Sequence, residues 1–515
     1  MPNPDLRLAR QFTILAYPFR HALAGHERAK RFEELKGRWV PWWGRLSRDD
    51  LECALDDTYF FLPYVRDLLF PETTLLSGTA PGQQLDEAAG IARQPAKLLA
   101  GRIPDDAVLR LTYDPKRLDS LRNLQLELAR TGEQFSAPFD VHWIDVMLFP
   151  HRVGLLAAKI ELKEDPLTVN RVNDLLYYIR LVHPPKLGWM LASWRNRNGD
   201  PRLTFQSSDL VDFLLQGLTE RPTRHSATLE EFLDDLKRRP NTARYTATQL
   251  GQVYGQVFHL YTYICLAETP SPNGRDEPFV SPSERMLYEL ATTTDTSHPD
   301  YMPHPSHLAR LLDRHHITLW SNWQALALSD NVVFLGVRAG RFTLQDLPHN
   351  VESDYFHLYA FTLFQKLWLS LAFGDLVRRE VNLQKNLREA RRLWDTFMSF
   401  QNRYWYSEVT RKPQGVELYQ KFQLGLGVLP LYEEIREETG ELQAYYERKF
   451  ERRVASLLNF IAFVGLPAGL LAQLFSSALI QTAVWRDLLL AAAGTYAVVG
   501  GMWLIWRYAS QRKER

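Results

Sequence analysis

The stretch that decides the fold is the C-terminal segment from Leu431 to Arg507. It begins with LYEEIREETGELQAYYERKFERR (431–453), continues with VASLLNFIAFVGLPAGLLAQLF (454–475), and after a short loop ends with DLLLAAAGTYAVVGGMWLIWRY (487–508). A bilayer core about 30 Å thick is crossed by roughly 20 mostly apolar helical residues. Within these segments, Val454–Phe475 and Leu488–Trp506 have that length and contain no Asp, Glu, Lys or Arg. They predict a charged stalk helix and two transmembrane helices; the alternative is a buried helical hairpin in a large soluble core.

Composition limits the remaining possibilities. The chain has 515 residues and a net charge of +1, so no global field favours a nucleic acid. A mean hydropathy of -0.28 is too polar for a polytopic transporter. Cys53 and Cys265 are the only cysteines, which excludes a disulfide framework and suits a reducing compartment. No signal peptide is recognisable at the N-terminus.

The basic residues predict an orientation. Lys and Arg cluster before the first span and after the second, whereas the loop between them offers only Arg486, beside Asp487. The positive-inside rule then places both termini in the cytoplasm. The sequence therefore predicts a multi-pass protein of the inner (cell) membrane, with the lipid bilayer as one partner and most of the chain in the cytoplasm.

Upstream of this segment the pattern is mixed α/β. Val141–Phe149 and Gly154–Leu162 are apolar and β-rich, and predict a hairpin. Val169–Val182 has helical spacing and ends before two prolines. We also expect a helix over Gln249–Leu266, and a second hairpin that joins Asn331–Val337 to 341–344.

These patterns divide the chain into eight parts. We expect an N-terminal extension of uncertain fold (1–105), a cytoplasmic α/β domain (106–350), long helices (354–429), a stalk helix (430–453), a first transmembrane helix (454–475), an outer loop (476–487), a second transmembrane helix (488–507) and a basic tail (508–515).

Two clusters outside the predicted membrane segments are candidate binding sites. Trp39, Trp42 and Trp43 could hold a base or a sugar, but packing is the simpler interpretation. His304 and His307 belong to a histidine-rich segment whose prolines and spacing match no metal motif, so a solvated loop is favoured.

An α/β domain, long helices, a stalk that continues into a first span, a short outer loop, a second span and a basic tail together resemble the CorA family of homopentameric divalent-cation channels. FVGLPAGLLAQLF (463–475) is similar to the proline-containing pore helix of that family. The resemblance implies a homo-oligomer, which we expect to be a pentamer, with Mg²⁺ as a transported or regulatory ion. Family members that carry magnesium have Gly-Met-Asn at the end of the pore helix; this chain has Ser476, Ser477 and Ala478 there.

The first span predicts its own pore face. Asn459 and Gln473 are its most polar side chains, and they lie about 40° apart around an ideal helix. The predicted pore-lining set is completed by Leu466, Gly469, Ser476 and Ser477, with Arg452 at the inner mouth. Helix–helix hydrogen bonding without conduction is the alternative.

Three functions follow, and none is enzymatic, because no nucleophile elbow, zincin motif or phosphate loop is present. The first is a cation channel or transporter gated by its cytoplasmic domain. The second resembles the CRISPR-associated branch of CorA-like proteins, a membrane effector of antiviral defence that responds to a nucleotide. Its nucleotide could be clamped by Gly188–Asn198 (GWMLASWRNRN), although a basic surface loop is the simpler interpretation. The third is a non-conducting membrane-anchored scaffold. Direct binding of nucleic acid is not expected.

Overall fold

A strand close to the N-terminus, β1 (Leu8–Arg20), lies in the interior of a large sheet. The structure is a computed structural model, and it describes residues 6–21, 38–76, 83–94, 96–130, 133–182, 193–196, 204–219, 228–238, 257–269, 279, 281–294, 296, 299–383, 387–465, 469, 473, 487, 490–494 and 501.

The sheet contains 12 strands. After β1 they are β2 (Trp39–Pro41), β3 (Leu109–Tyr113), β4 (Leu124–Arg130), β5 (Glu133–Leu148), β6 (Val153–Leu162), β7 (Ser193–Asn196), β8 (Thr204–Gln206), β9 (His259–Leu266), β10 (His316–Trp320), β11 (Trp323–Ala327) and β12 (Asn331–Gly336). Their order is β10-β11-β12-β9-β1-β6-β5-β4-β7-β8, and β3 joins β5 and carries β2. β12 and β9 are parallel; the other pairs are antiparallel.

The described residues also form helices. They are α1 (Arg48–Asp57), α2 (Pro63–Leu69), α3 (Gln84–Ala92), α4 (Ala96–Arg102), α5 (Pro115–Leu118), α6 (Val169–Ile179), α7 (Ser207–Leu214), α8 (Leu229–Arg238), α9 (Pro282–Thr292), α10 (Pro305–His315), α11 (Leu347–Asn350), α12 (Phe356–Leu383), α13 (Leu387–Tyr404), α14 (Pro413–Gly425) and α15 (Val428–Phe460). Wider π-helical turns, Phe342–Asp346 and Val351–Tyr355, precede and follow α11, and a third, Ile461–Gly465, follows α15.

The two faces of the sheet differ in chemistry. One face is apolar and belongs to the main hydrophobic core, to which α6 and α9 also contribute buried side chains. The other face packs against α12: the ring of Tyr261 on β9 lies 5.4 Å from that of Phe356 and 5.2 Å from that of Tyr359. Charged side chains are buried on this second face, and the candidate site is built there.

The chain divides into two compact units. The larger comprises Met1–Arg378 and Phe397–Ile435, and contains the sheet. The smaller comprises Arg379–Thr396 and Arg436–Arg515. Its described part is helical, and consists mainly of the first half of α13 and most of α15.

The expected transmembrane hairpin is wrong. Among the residues that the structure describes, no helix combines the length and apolar content needed to cross a bilayer. Helix α15 is charged as far as Arg453, and its described apolar continuation runs only from Val454 to Gly465. That continuation is about 18 Å long at 1.5 Å per residue, against a bilayer core of about 30 Å.

Several assignments fall with the hairpin. The α/β domain and the long helices of the predicted fold class are present, but its C-terminal transmembrane part is not supported. The description as a membrane protein and ion channel, and the multi-pass inner-membrane location, are corrected on the same finding. Of the predicted second span, only Leu490–Gly494 and Gly501 are among the described residues.

Individual elements were predicted with mixed success. The hairpin of β5 and β6 and the helix α6 are confirmed. The helix expected over Gln249–Leu266 is wrong, because His259–Leu266 forms the central strand β9. The hairpin partner expected at 341–344 is also wrong, since Phe342–Asp346 is a π-helical turn.

Candidate functional site

Six buried or half-buried ionisable side chains lie on, or against, the face of the sheet that α12 covers. We call them the charge layer: Arg45, Glu72, Arg110, Asp145, Lys159 and Glu352. Strand register explains how three of them come to share a face. Asp145 on β5 pairs with Thr112, two residues after Arg110 on β3, and Trp143 pairs with Lys159 on β6. Because side chains alternate along a strand, Arg110, Asp145 and Lys159 point to the same side.

Glu352 ties the π-helical turn Val351–Tyr355 to the sheet. Lys159 Nζ donates to its Oε2 at 2.6 Å, and Trp143 Nε1 donates to its Oε1 at 2.7 Å. Burial alone would raise the pKa of Glu352, but the Lys159 charge and these hydrogen bonds hold its pKa below the usual value. Glu352 is therefore a carboxylate that accepts from two strands at once. Such π-helical turns are frequent at functional sites.

Rings and guanidinium groups alternate through the rest of the layer. The Arg45 guanidinium carbon lies 4.6 Å from the Trp143 ring centroid and 5.7 Å from that of Trp42. The guanidinium carbon of Arg110 lies 3.6 Å from the Trp42 centroid and 4.7 Å from that of Phe70. These cation–π contacts connect the segment before β3 to the sheet.

Arg110 is the most enclosed cation of the layer, with only 1% of its surface exposed. Its Nη2 donates to Nε2 of His357, on the first turn of α12. Burial and the neighbouring Arg110 charge depress the pKa of His357 well below its usual value, so the imidazole is neutral and can accept. Burial also lowers the pKa of Arg110 to about 10, although Glu72 and Asp145 oppose that shift.

The two acids nearest Arg110 differ in their partners. Asp145 forms an ion pair with Arg45, at 3.1 Å between Oδ2 and Nη2. Burial raises the pKa of Asp145, and the Arg45 charge limits that rise. Glu72 is 2% exposed, and its Oε2 accepts no hydrogen bond from the described residues. Burial raises the pKa of Glu72 to about 7, against the opposing charge of Arg110.

A second buried acid lies in the same π-helical turn as Glu352. Asp354 is 5% exposed, and burial together with the charge of Asp57 raises its pKa to about 8. Asp57 itself accepts from His349 Nε2 at 3.2 Å. At neutral pH, Asp354 is therefore mainly protonated.

Such an arrangement is better suited to coupling than to stability. Buried ion pairs contribute little net stability, whereas removal of one partner is strongly destabilising. Perturbed pKa values also concentrate at functional sites. The charge layer joins the 42–72 segment, strands β3, β5 and β6, and the π-helical turn that leads into α12. We therefore expect a change in the charge of one member to alter the energies of its neighbours.

The predicted pore residues lie elsewhere, in the smaller unit. Asn459 and Arg452 are exposed on α15 and lie on nearly the same side of it, about 20° apart at 100° per residue. Gly469 and Gln473 are also helical and exposed. Leu466, Ser476 and Ser477 lie outside the described residues, so the predicted ring of pore-lining residues is not assembled by what the structure describes.

Other sequence candidates serve in packing. Trp39, Trp42 and Trp43 are at most 6% exposed, which confirms the packing interpretation. Trp194, in the proposed nucleotide clamp, is 1% exposed and donates to Ser207 Oγ at 3.0 Å, so it cannot stack on a base.

The histidine-rich segment is more ordered than expected, because α10 begins at Pro305 and His304 caps it by accepting from Ser306 N. Within the described part of the chain, no group of His, Cys, Asp or Glu is arranged to hold a metal ion.

Sequence reasoning missed the charge layer because its members are scattered from residue 45 to residue 352. The one local signal was alternation: Trp143 and Asp145 lie two apart at the start of the run 143–149, whose other residues are apolar. Comparison with known proteins adds no assignment, since no protein-family model and no curated protein matches the chain. The resemblance to the CorA family therefore stays a prediction.

Proposed function

We propose that this chain is the subunit of a homo-oligomeric regulatory protein, in which the α/β unit is the responsive part and helix α15 carries the assembly surface. The ion-conducting and membrane-effector roles were built on membrane-spanning helices, so the proposal is stated without them. It is non-enzymatic, as the sequence predicts. The charge layer supports a responsive role for the α/β unit, because it joins distant segments and because the pKa values of Glu72, within the layer, and of Asp354, beside it, lie near neutral pH.

One observation carries the assembly role. The second half of α15 and the start of the π-helical turn after it expose an apolar stripe, which we define as Phe450, Val454, Leu457, Leu458 and Ile461, with exposed fractions of 65%, 38%, 55%, 58% and 48%. Exposed apolar patches of this kind mark interaction sites in soluble and membrane proteins alike. A stripe left in water would favour aggregation, so it requires a partner.

The spacing of the stripe favours a helical partner. Phe450, Val454, Leu457 and Ile461 follow one another at intervals of four, three and four residues, which is the spacing of a coiled-coil seam. A second copy of the same helix offers the matching surface, and closed symmetry needs no other chain. A net charge of +1 opposes such self-association very little. From the resemblance to the CorA family we expect five copies.

The test is the mass of the intact chain in solution. Leu457→Glu places a carboxylate in the stripe, whereas Asn459→Glu places the same group about 160° away from the stripe's centre on the same helix. We expect wild type and Asn459→Glu to have a mass that is a multiple of the chain's 59.8 kDa, and Leu457→Glu to be a monomer. A monomeric wild type, or an oligomer that Leu457→Glu leaves intact, would refute the proposal.

A further inference from the structure

Glu72 is the acid of the charge layer that forms no ion pair with a described residue, whereas Asp145 and Glu352 each form one. It belongs to the 3₁₀ turn Pro71–Leu76, which follows α2 directly. Its side chain is buried, and Oε2 has no hydrogen-bond donor among the described residues. A buried acceptor without a donor is costly if it is charged, and much less so if it is protonated.

The charge that acts on Glu72 is that of Arg110 on β3. Arg110 is in turn surrounded by three further titratable groups: Asp145 on β5, Arg45 in the turn Trp42–Arg45, and His357 on α12. Arg45 and Asp145 already neutralise each other as an ion pair. His357 is neutral because burial and the Arg110 charge depress its pKa, and the neutral ring accepts from Arg110.

Arg110 is therefore the one cation of this group whose counter-charge depends on Glu72. Its Nε and Nη1 are buried and have no acceptor among the described residues, while its guanidinium carbon contacts the rings of Trp42 and Phe70, which also contact each other edge to face. Phe70 lies two residues before Glu72, so the same segment supplies a ring that holds Arg110 and an acid that can attract it.

We propose that Glu72 is a protonation switch that controls how the segment Pro63–Leu76 is held against the sheet. In the described arrangement Glu72 is the neutral acid, and Arg110 is held by the two rings and by His357. When Glu72 loses its proton, the carboxylate pairs with the free Nε and Nη1 of Arg110 and draws the guanidinium out of its stack. The segment and the sheet are then joined by an ion pair and no longer by the rings.

The burial of Glu72 determines the pH at which it loses its proton. Burial raises the pKa of Glu72 to about 7, because the approach of Arg110 offsets only part of the desolvation. The proton is therefore exchanged near neutral pH, and not in the acid range that is typical of an exposed glutamate.

The experiment measures the protonated carboxyl directly. Infrared difference spectra of the full chain between about pH 5.5 and about pH 8.5 follow the carbonyl stretch of buried neutral acids. They are recorded in an Asp354→Asn background, since Asp354 also titrates in this range. Glu72→Gln is the test variant, and Glu52→Gln, an exposed acid on α1, is the matched control.

We expect the Asp354→Asn chain to lose one protonated-carboxyl band with a midpoint near pH 7, Glu52→Gln to keep that loss, and Glu72→Gln to lack it. Hydrogen exchange of 63–76, corrected for its intrinsic pH dependence, is expected to change across the same midpoint in wild type and not in Glu72→Gln. If Glu72→Gln does not fold, Glu72→Asp replaces it and must shift the midpoint. An unchanged band in these variants, or exchange that is independent of pH in wild type, would overturn the proposal.

Discussion

The guanidinium carbon of Arg110, on strand β3, lies 3.6 Å from the ring centroid of Trp42, which belongs to the turn Trp42–Arg45 far earlier in the chain. This contact joins the aromatic segment after β2 to the buried face of β3. Arg110 is therefore both a counter-charge and a cation–π partner of two rings, Trp42 and Phe70, and these roles can be separated by substitution.

Arg110→Met is expected to lower the free energy of unfolding by about 3–5 kcal/mol above about pH 7, where Glu72 is ionised, because it leaves that buried carboxylate without its cation. Arg110→Lys keeps the charge but loses the planar stack and the fork of donors, and should fall between Met and wild type. Arg122→Met, at an exposed arginine in the loop before β4, is the control and should change stability little. Urea denaturation gives the free energy of unfolding of the three variants. An equal loss of stability in Arg110→Met and Arg122→Met would contradict the role assigned to Arg110.

Glu352→Gln is expected to destabilise the protein by about 1.5–3 kcal/mol at pH 7, since both donors to the carboxylate would lose a charged acceptor. The folded pKa of Glu352 is depressed, so its stabilisation is present above the unfolded pKa and is lost as the pH falls through the folded value. Denaturation curves below about pH 4.3 should therefore show a steeper loss in wild type than in Glu352→Gln. Parallel pH profiles would argue against the charged pair with Lys159.

The contribution of Asp354 to the free energy of unfolding should depend on pH in the opposite sense to that of Glu352. Its folded pKa is raised from 3.8 to about 8, so the folded state holds a proton that the unfolded state releases in this window. Between these two pKa values the free energy of unfolding should therefore fall as the pH rises, by up to about 1.4 kcal/mol per pH unit. Asp354→Asn should flatten the profile, whereas Asp56→Asn, at an exposed aspartate of α1, should not. Thermal unfolding measured between about pH 4 and about pH 8 distinguishes the two variants. If stability depends on pH equally in both, Asp354 does not hold the proton.

How much the sequence could predict depended on whether the signal was local. The hairpin of β5 and β6 was predictable because each strand is a β-rich run bounded by turn residues. β9 was mistaken for part of a helix, since HLYTYICL is buried on both faces and a continuous apolar run has no period that identifies a strand.

The candidate site and the C-terminal helix illustrate two further limits. Arg110 and Asp145 come together only through the register of β3 with β5, which no local pattern encodes. The apolar run after Arg453 has the length, the lack of charge and the basic flanks of a membrane span, but in the described residues it continues α15 as an exposed stripe and a π-helical turn. Length and composition could not separate these outcomes.

Two glycines predict opposite responses to the same substitution. A Cβ at Gly425, the last residue of α14, would lie 2.6 Å from the carbonyl oxygen of Ala327 on β11, whereas one at Gly440, inside α15, would meet nothing within 4 Å. Gly425→Ala must move strand or helix, and is expected to cost about 1–3 kcal/mol. Gly440→Ala removes the entropic cost of glycine from a helix interior, and is expected to stabilise by about 0.5–1 kcal/mol. Thermal unfolding of the pair checks both signs at once: a neutral Gly425→Ala would mean that α14 does not approach β11 as closely as the structure places it.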